Sequence, residues 1–160
     1  MNDRNTYLKN NIEGMSNDEL ILFIYQELIK ILNLAKHYFK ENNIEKRVNS
    51  INKAIEIIST LMSILNFEQG GQIALRLRSL YLYSIQKLTT ANYDKKPGYV
   101  DEAIKIFKEL HAGWKEKLKK DKLEGIKTNP IKPDINNQVK ENNENLNSDV
   151  KEGKGFEIYG

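Results

Sequence analysis

The chain has no cysteine, only two histidines, three prolines and one tryptophan among its 160 residues. Without cysteine there is no disulfide framework and no thiol catalysis, which agrees with a reducing compartment. His37 and His111 fall on different predicted helices, and no Glu-x-x-His or His-Glu-x-x-His pattern accompanies them, so no metal site is expected. No phosphate-cradling loop follows a strand, since Gly70-Gly71 lacks the Lys-Ser/Thr of such loops, and no cofactor is expected either. Carboxylates are plentiful but sit on predicted solvated faces, so the chain reads as a non-enzyme. No uncharged apolar run is long enough to span a bilayer, and Met1-Asn2-Asp3-Arg4-Asn5 lacks a signal-peptide core. Membrane insertion is therefore not expected, and the cytoplasm is the simplest location.

What is present is ordinary for a globular domain, with 39% hydrophobic and 29% charged residues. The net charge of +3 is unevenly spread. Residues 121–160 hold 6 Lys against 8 Asp or Glu, leaving 19 basic and 14 acidic residues in the first 120. The basic residues are distributed along helix faces without an aromatic-basic reader motif, so nucleic acid is not an expected partner.

Hydrophobic periodicity divides the chain into four helices. Ser16-Asn17-Asp18-Glu19 fits a capping box and opens a helix over about 17–41, with Leu20, Ile24, Leu28, Ile31, Ala35 and Tyr38 on one face. Asn43 caps a second over about 44–65. Val48, Ile51, Ile55, Ile58, Met62 and Leu65 form one of its stripes, and Ala54, Ile57, Leu61 and Ile64 a second. Its polar face is predicted to carry Lys46, Arg47, Asn49, Lys53 and Ser63. Gly70-Gly71 makes a corner, where glycine accepts positive φ, and a third helix is predicted over about 71–91. Its core face is Ile73, Leu77, Leu80, Tyr81, Ile85 and Leu88. Leu75 and Leu82, flanked by Arg78, project from the other side. After Pro97 and Gly98 a fourth, conventionally amphipathic helix runs over about 99–120.

Short connections between these helices predict an all-α, antiparallel up-down four-helix bundle over residues 16–121. Residues 1–15 form an N-terminal arm carrying Tyr7, Leu8 and Ile12. Residues 122–160, rich in Asn and poor in large apolar side chains, are predicted to be a disordered polar tail.

Leu65-Asn66-Phe67-Glu68-Gln69-Gly70-Gly71-Gln72-Ile73-Ala74, followed by Leu80-Tyr81-x-Tyr83, Leu88 and Ala91-Asn92, resembles the central signature of the flagellin-specific export chaperones, the FliS family. Tyr7, Ala35, Lys53-Ala54-Ile55-x-Ile57-Ile58 and Trp114 extend the likeness over roughly residues 7–118. The resemblance implies a helical bundle that binds the disordered C-terminal segment of flagellin, blocks premature polymerisation and delivers it to a component of the type III export gate. It implies nothing about the tail, and Lys95-Lys96-Pro97-Gly98 departs from the pattern.

Helices 1 to 3 carry more apolar surface than a minimal bundle buries, which leaves surfaces for a partner. Two are expected to bind flagellin: the outer strip Leu75, Arg78 and Leu82, and the side stripe Ile57, Leu61 and Ile64. Tyr7, Leu8 and Ile12 are expected to occupy a groove in the free protein and to leave it on binding. The competing reading is a self-associating helical adaptor without flagellin binding, in which the same stripes close a homodimer. Scattered surface leucine also accounts for the outer strip alone.

Overall fold

The computed structural model describes residues 10–125 and 130–131. Four long helices make up nearly all of it: α1 (Asn17–Lys40), α2 (Ile44–Ser63), α3 (Phe67–Asp94) and α4 (Gly98–Glu124). A short helical turn over residues 10–13 precedes them. Three-residue connections join the helices, so each runs back along its predecessor.

Local chemistry sets where each helix begins. The Ser16 hydroxyl accepts from the Glu19 amide at 3.2 Å while the Glu19 carboxylate accepts from the Ser16 amide at 3.1 Å, completing the capping box of α1. Asn43 Oδ1 accepts from the Lys46 amide at the start of α2. Asn66 Oδ1 accepts from the amides of Glu68 and Gln69 at the start of α3. These acceptors satisfy amides that have no partner inside the helix. Helix α4 starts after Pro97 without a side-chain cap and closes on left-handed Gly125.

Each helix packs on its two neighbours in chain order, and α4 returns to α1, so the bundle is square and antiparallel. Ion pairs record the α1–α4 polarity: Lys36 near the end of α1 meets Asp101 at the start of α4 at 2.6 Å, and Lys117 near the end of α4 lies 3.8 Å from Asp18. The core centres on Tyr25, Tyr81, Phe107 and Trp114. Tyr81 stacks on Phe107, and Tyr25 meets Trp114 edge-on. The hydroxyls of Tyr25 and Tyr81 hydrogen-bond across the bundle at 2.5 Å. Burial pushes both phenols well above their ordinary titration range, so both are neutral.

Three sequence expectations change. Arg47 and Asn49, assigned to a polar face of α2, are buried. Helix α2 sits between α1 and α3 and has little free circumference; Arg47 is accommodated with its guanidinium 4.8 Å from the centre of the Phe39 ring. Ile73, assigned to the core, is exposed. It lies just after a break at Gly71, where φ 47° and ψ −123° interrupt the helix, and no neighbour closes over it. Helix α4 continues to Glu124, past the end expected at about residue 120.

Candidate functional site

Helix α3 carries most of the exposed large hydrophobic residues among those described. Nine large hydrophobic residues are exposed among the described residues, and five of them, Phe67, Ile73, Leu75, Leu82 and Tyr83, lie on α3 between residues 67 and 83. The reason is geometric. Helix α3 buries the arc of Ala74, Leu77, Tyr81, Ser84 and Leu88 against α2 and α4. Leu75 and Leu82, one heptad apart, fall on the far side and remain 45% and 46% exposed.

The strip leads into a shallow recess of about 600 Å³ lined by Phe67, Gly71, Gln72, Leu75 and Arg78. Gly71 opens it: its backbone requires positive φ, and no atom lies within 4 Å of where a Cβ would stand. Phe67 follows directly on the Asn66 cap and is held at the rim, 46% exposed. Arg78 makes no ion pair among the described residues and presents an unsatisfied cation beside the apolar lining. A recess of this kind accepts apolar side chains from another chain and can pair one carboxylate at its edge.

The reverse side of the same corner is already occupied. The Asn66 amide donates to the Pro130 carbonyl at 2.7 Å, and Leu65 pairs with Ile131 in an antiparallel bridge. Ile131 is buried. Gly70 permits this approach, because a Cβ there would stand 2.7 Å from the Pro130 Cα and 2.9 Å from the Ala74 Cβ. The corner thus holds residues 130 and 131 through the Asn66–Pro130 hydrogen bond, the Leu65–Ile131 bridge and the buried Ile131 side chain.

The expected site residues separate into three groups. Leu75, Arg78 and Leu82 are exposed on one face, with Leu75 and Arg78 both lining the recess. Ile57, Leu61 and Ile64 are buried, which corrects their assignment to a free side stripe: α2 has a neighbour on both sides, so its second stripe is core. Ile12 is buried and packs on the core cluster, whereas Tyr7 and Leu8 lie outside the described residues. Sequence reasoning passed over Phe67 and Ile131. The signal for Ile131 was its place between Pro130 and Pro133, since proline biases the chain towards extended structure.

Chemically the face is suited to holding, and nothing in it activates a nucleophile or a proton. Among the described residues no group of His, Asp or Glu is placed to hold a metal ion. No described helix is long and apolar enough to cross a membrane.

The family described as "Flagellar protein FliS" matches residues 1–121. The chain belongs to the FliS family. It is similar to the "Flagellar secretion chaperone FliS" of Campylobacter jejuni, with 30% identity over 112 residues, which is 70% of this chain and 88% of the relative. The "Flagellar secretion chaperone FliS" of Vibrio cholerae is 29% identical over 103 residues, covering 64% of this chain and 76% of that protein. The "Flagellar secretion chaperone FliSB" of Pseudomonas aeruginosa is 31% identical, covering 68% and 89%. FliS proteins are chaperones, and this FliS-family chain is accordingly not an enzyme. The family match ends at residue 121, so the contact of Pro130 and Ile131 with the corner lies beyond the matched region.

Proposed function

We propose that this chain is a cytoplasmic export chaperone. It binds the disordered C-terminal segment of flagellin, prevents premature polymerisation and delivers flagellin to the type III export apparatus. The observation that carries the reading is the exposed strip of Leu75 and Leu82 running into the recess beside Phe67 and Arg78. Family membership supports the chaperone role.

Holding a disordered segment requires apolar burial large enough to offset the ordering of that segment, roughly 2–5 kcal/mol or more across an interface of about 1,000–3,000 Å². An amphipathic helix supplies such burial by placing apolar anchors one to two turns apart along α3. The spacing of Leu75 and Leu82 suits that register. Ile12 packs on the core in the free chain and, with Tyr7 and Leu8, is proposed to yield to the partner.

The test is a calorimetric titration of the full chain with a peptide of the host flagellin's C-terminal segment, with circular dichroism recorded on the same samples. Saturable binding, a gain in helix and a negative heat-capacity change are expected. Absence of binding at high micromolar peptide, with the chain folded and sedimenting as a tight dimer, would overturn the reading in favour of a self-associating adaptor.

A further inference from the structure

At the end of the bundle opposite the α2–α3 corner, the connections α1–α2 and α3–α4 enclose a second recess, of about 400 Å³. Its charge is one-sided. Lys36, Lys40, Arg47 and Lys95 line it, against a single carboxylate, Asp101, which Lys36 already engages at 2.6 Å. Lys40 and Lys95 form no ion pair among the described residues. The remaining lining includes Phe39, Ile44 and Pro97, and Ile44 is more than half exposed.

Arg47 is the unusual member. It is 6% exposed, and its Nε has no hydrogen-bond partner. A buried donor without an acceptor is costly, and a charged one more so. Stacking on Phe39 compensates the guanidinium face but gives no acceptor to its edge. The rim is built by two residues in left-handed conformation, Asn42 at φ 57° and Lys95 at φ 55°, the only such non-glycine residues among those described.

We propose that this recess is a second binding site, separate from the α3 face, for an acidic peptide segment of a partner protein that carries an apolar side chain next to a carboxylate. The carboxylate is received by Arg47 with Lys40 and Lys95, and the apolar side chain covers Phe39, Ile44 and Pro97. Guanidinium pairs with carboxylate in a planar fork, and the uncancelled lysines steer an acidic chain towards it. A free small anion would leave the apolar lining uncovered. A nucleic-acid duplex would require basic groups spread over a wider face to follow its regularly spaced phosphates. The site does not rest on the flagellin reading, because it shares no residue with the α3 strip.

The experiment follows the backbone amides and the arginine Nε–H signals of the isotopically labelled full chain by NMR. The chain is titrated in parallel with acetyl-Asp-Phe-Glu-Leu-amide, with its neutral counterpart acetyl-Asn-Phe-Gln-Leu-amide, and with inorganic phosphate. The acidic peptide is expected to shift Asn42, Lys95 and the Arg47 Nε–H together and saturably, and to bind at least about ten-fold more tightly than the neutral peptide. A Lys40→Gln/Lys95→Gln variant, altered only at exposed positions, is expected to keep its thermal midpoint and lose about ten-fold or more in affinity. Arg47→Lys keeps the charge without the fork and is expected to weaken binding while retaining the fold. The proposal is overturned if no shifts occur at 10 mM peptide, on the order of weak single-contact affinities. It is equally overturned if the shifts spread over other lysines, if the neutral peptide binds equally well, or if phosphate binds as tightly as the acidic peptide.

Discussion

Single residues decide the local geometry of this bundle. Gly71 holds φ 47° with open space around its Cβ position, so a side chain there meets backbone strain without a packing clash. Gly71→Ala is expected to lower stability by about 1–3 kcal/mol in a urea melt. The Tyr25–Tyr81 pair offers a cleaner test. Either single Tyr→Phe change leaves one buried hydroxyl without its partner and should cost about 1–3 kcal/mol, whereas the double change removes both groups and should cost less than the sum. The same pair predicts a pH response. Both phenols have folded-state pKa values above the unfolded value of about 10, so their contribution is complete below pH about 10 and is lost as the pH rises further. The double Phe variant should show a shallower alkaline loss of stability.

At the scale of the helices, sequence periodicity and capping chemistry carried most of the fold. Ser16, Asn43 and Asn66 each accept from amides of the first helical turn, and the first two were readable from side-chain type and position alone. Ser16→Ala should reduce stability by about 1 kcal/mol, measurable in the same melt. Periodicity could not say how many neighbours a helix has. That is why Arg47 and Asn49 were expected on a free face of α2, and Ile57, Leu61 and Ile64 on a partner surface, when α2 is enclosed by α1 and α3. On α3 the reverse held. One arc meets both neighbours, so Leu75 and Leu82 stay outside, as their spacing required. Ile73 failed because it stands in the first turn after the break at Gly71, at the end of the bundle, where no neighbour closes over it.

Over the whole molecule, the connections gather at two ends with different chemistry. One end carries the Gly70–Gly71 corner, the apolar recess and the docked Ile131; the other carries the cationic recess around Arg47. The docking of Ile131 was not legible because it joins residues far apart in sequence: the flanking prolines signal extended chain but not the partner it pairs with. Ending the chain after Gly125 removes the contact and should cost about 1.5–3 kcal/mol, the burial of one isoleucine side chain, with the four helices retained in the circular dichroism spectrum. The central claim is that the exposed face of α3 holds the C-terminal segment of flagellin. The most direct measurement compares the full chain with a Leu75→Glu/Leu82→Glu variant in calorimetric titration against that segment. Both positions are exposed, so the variant should melt as the parent does while its affinity falls at least about ten-fold. An unchanged affinity in the folded variant would contradict the account and move the partner to another face of the bundle.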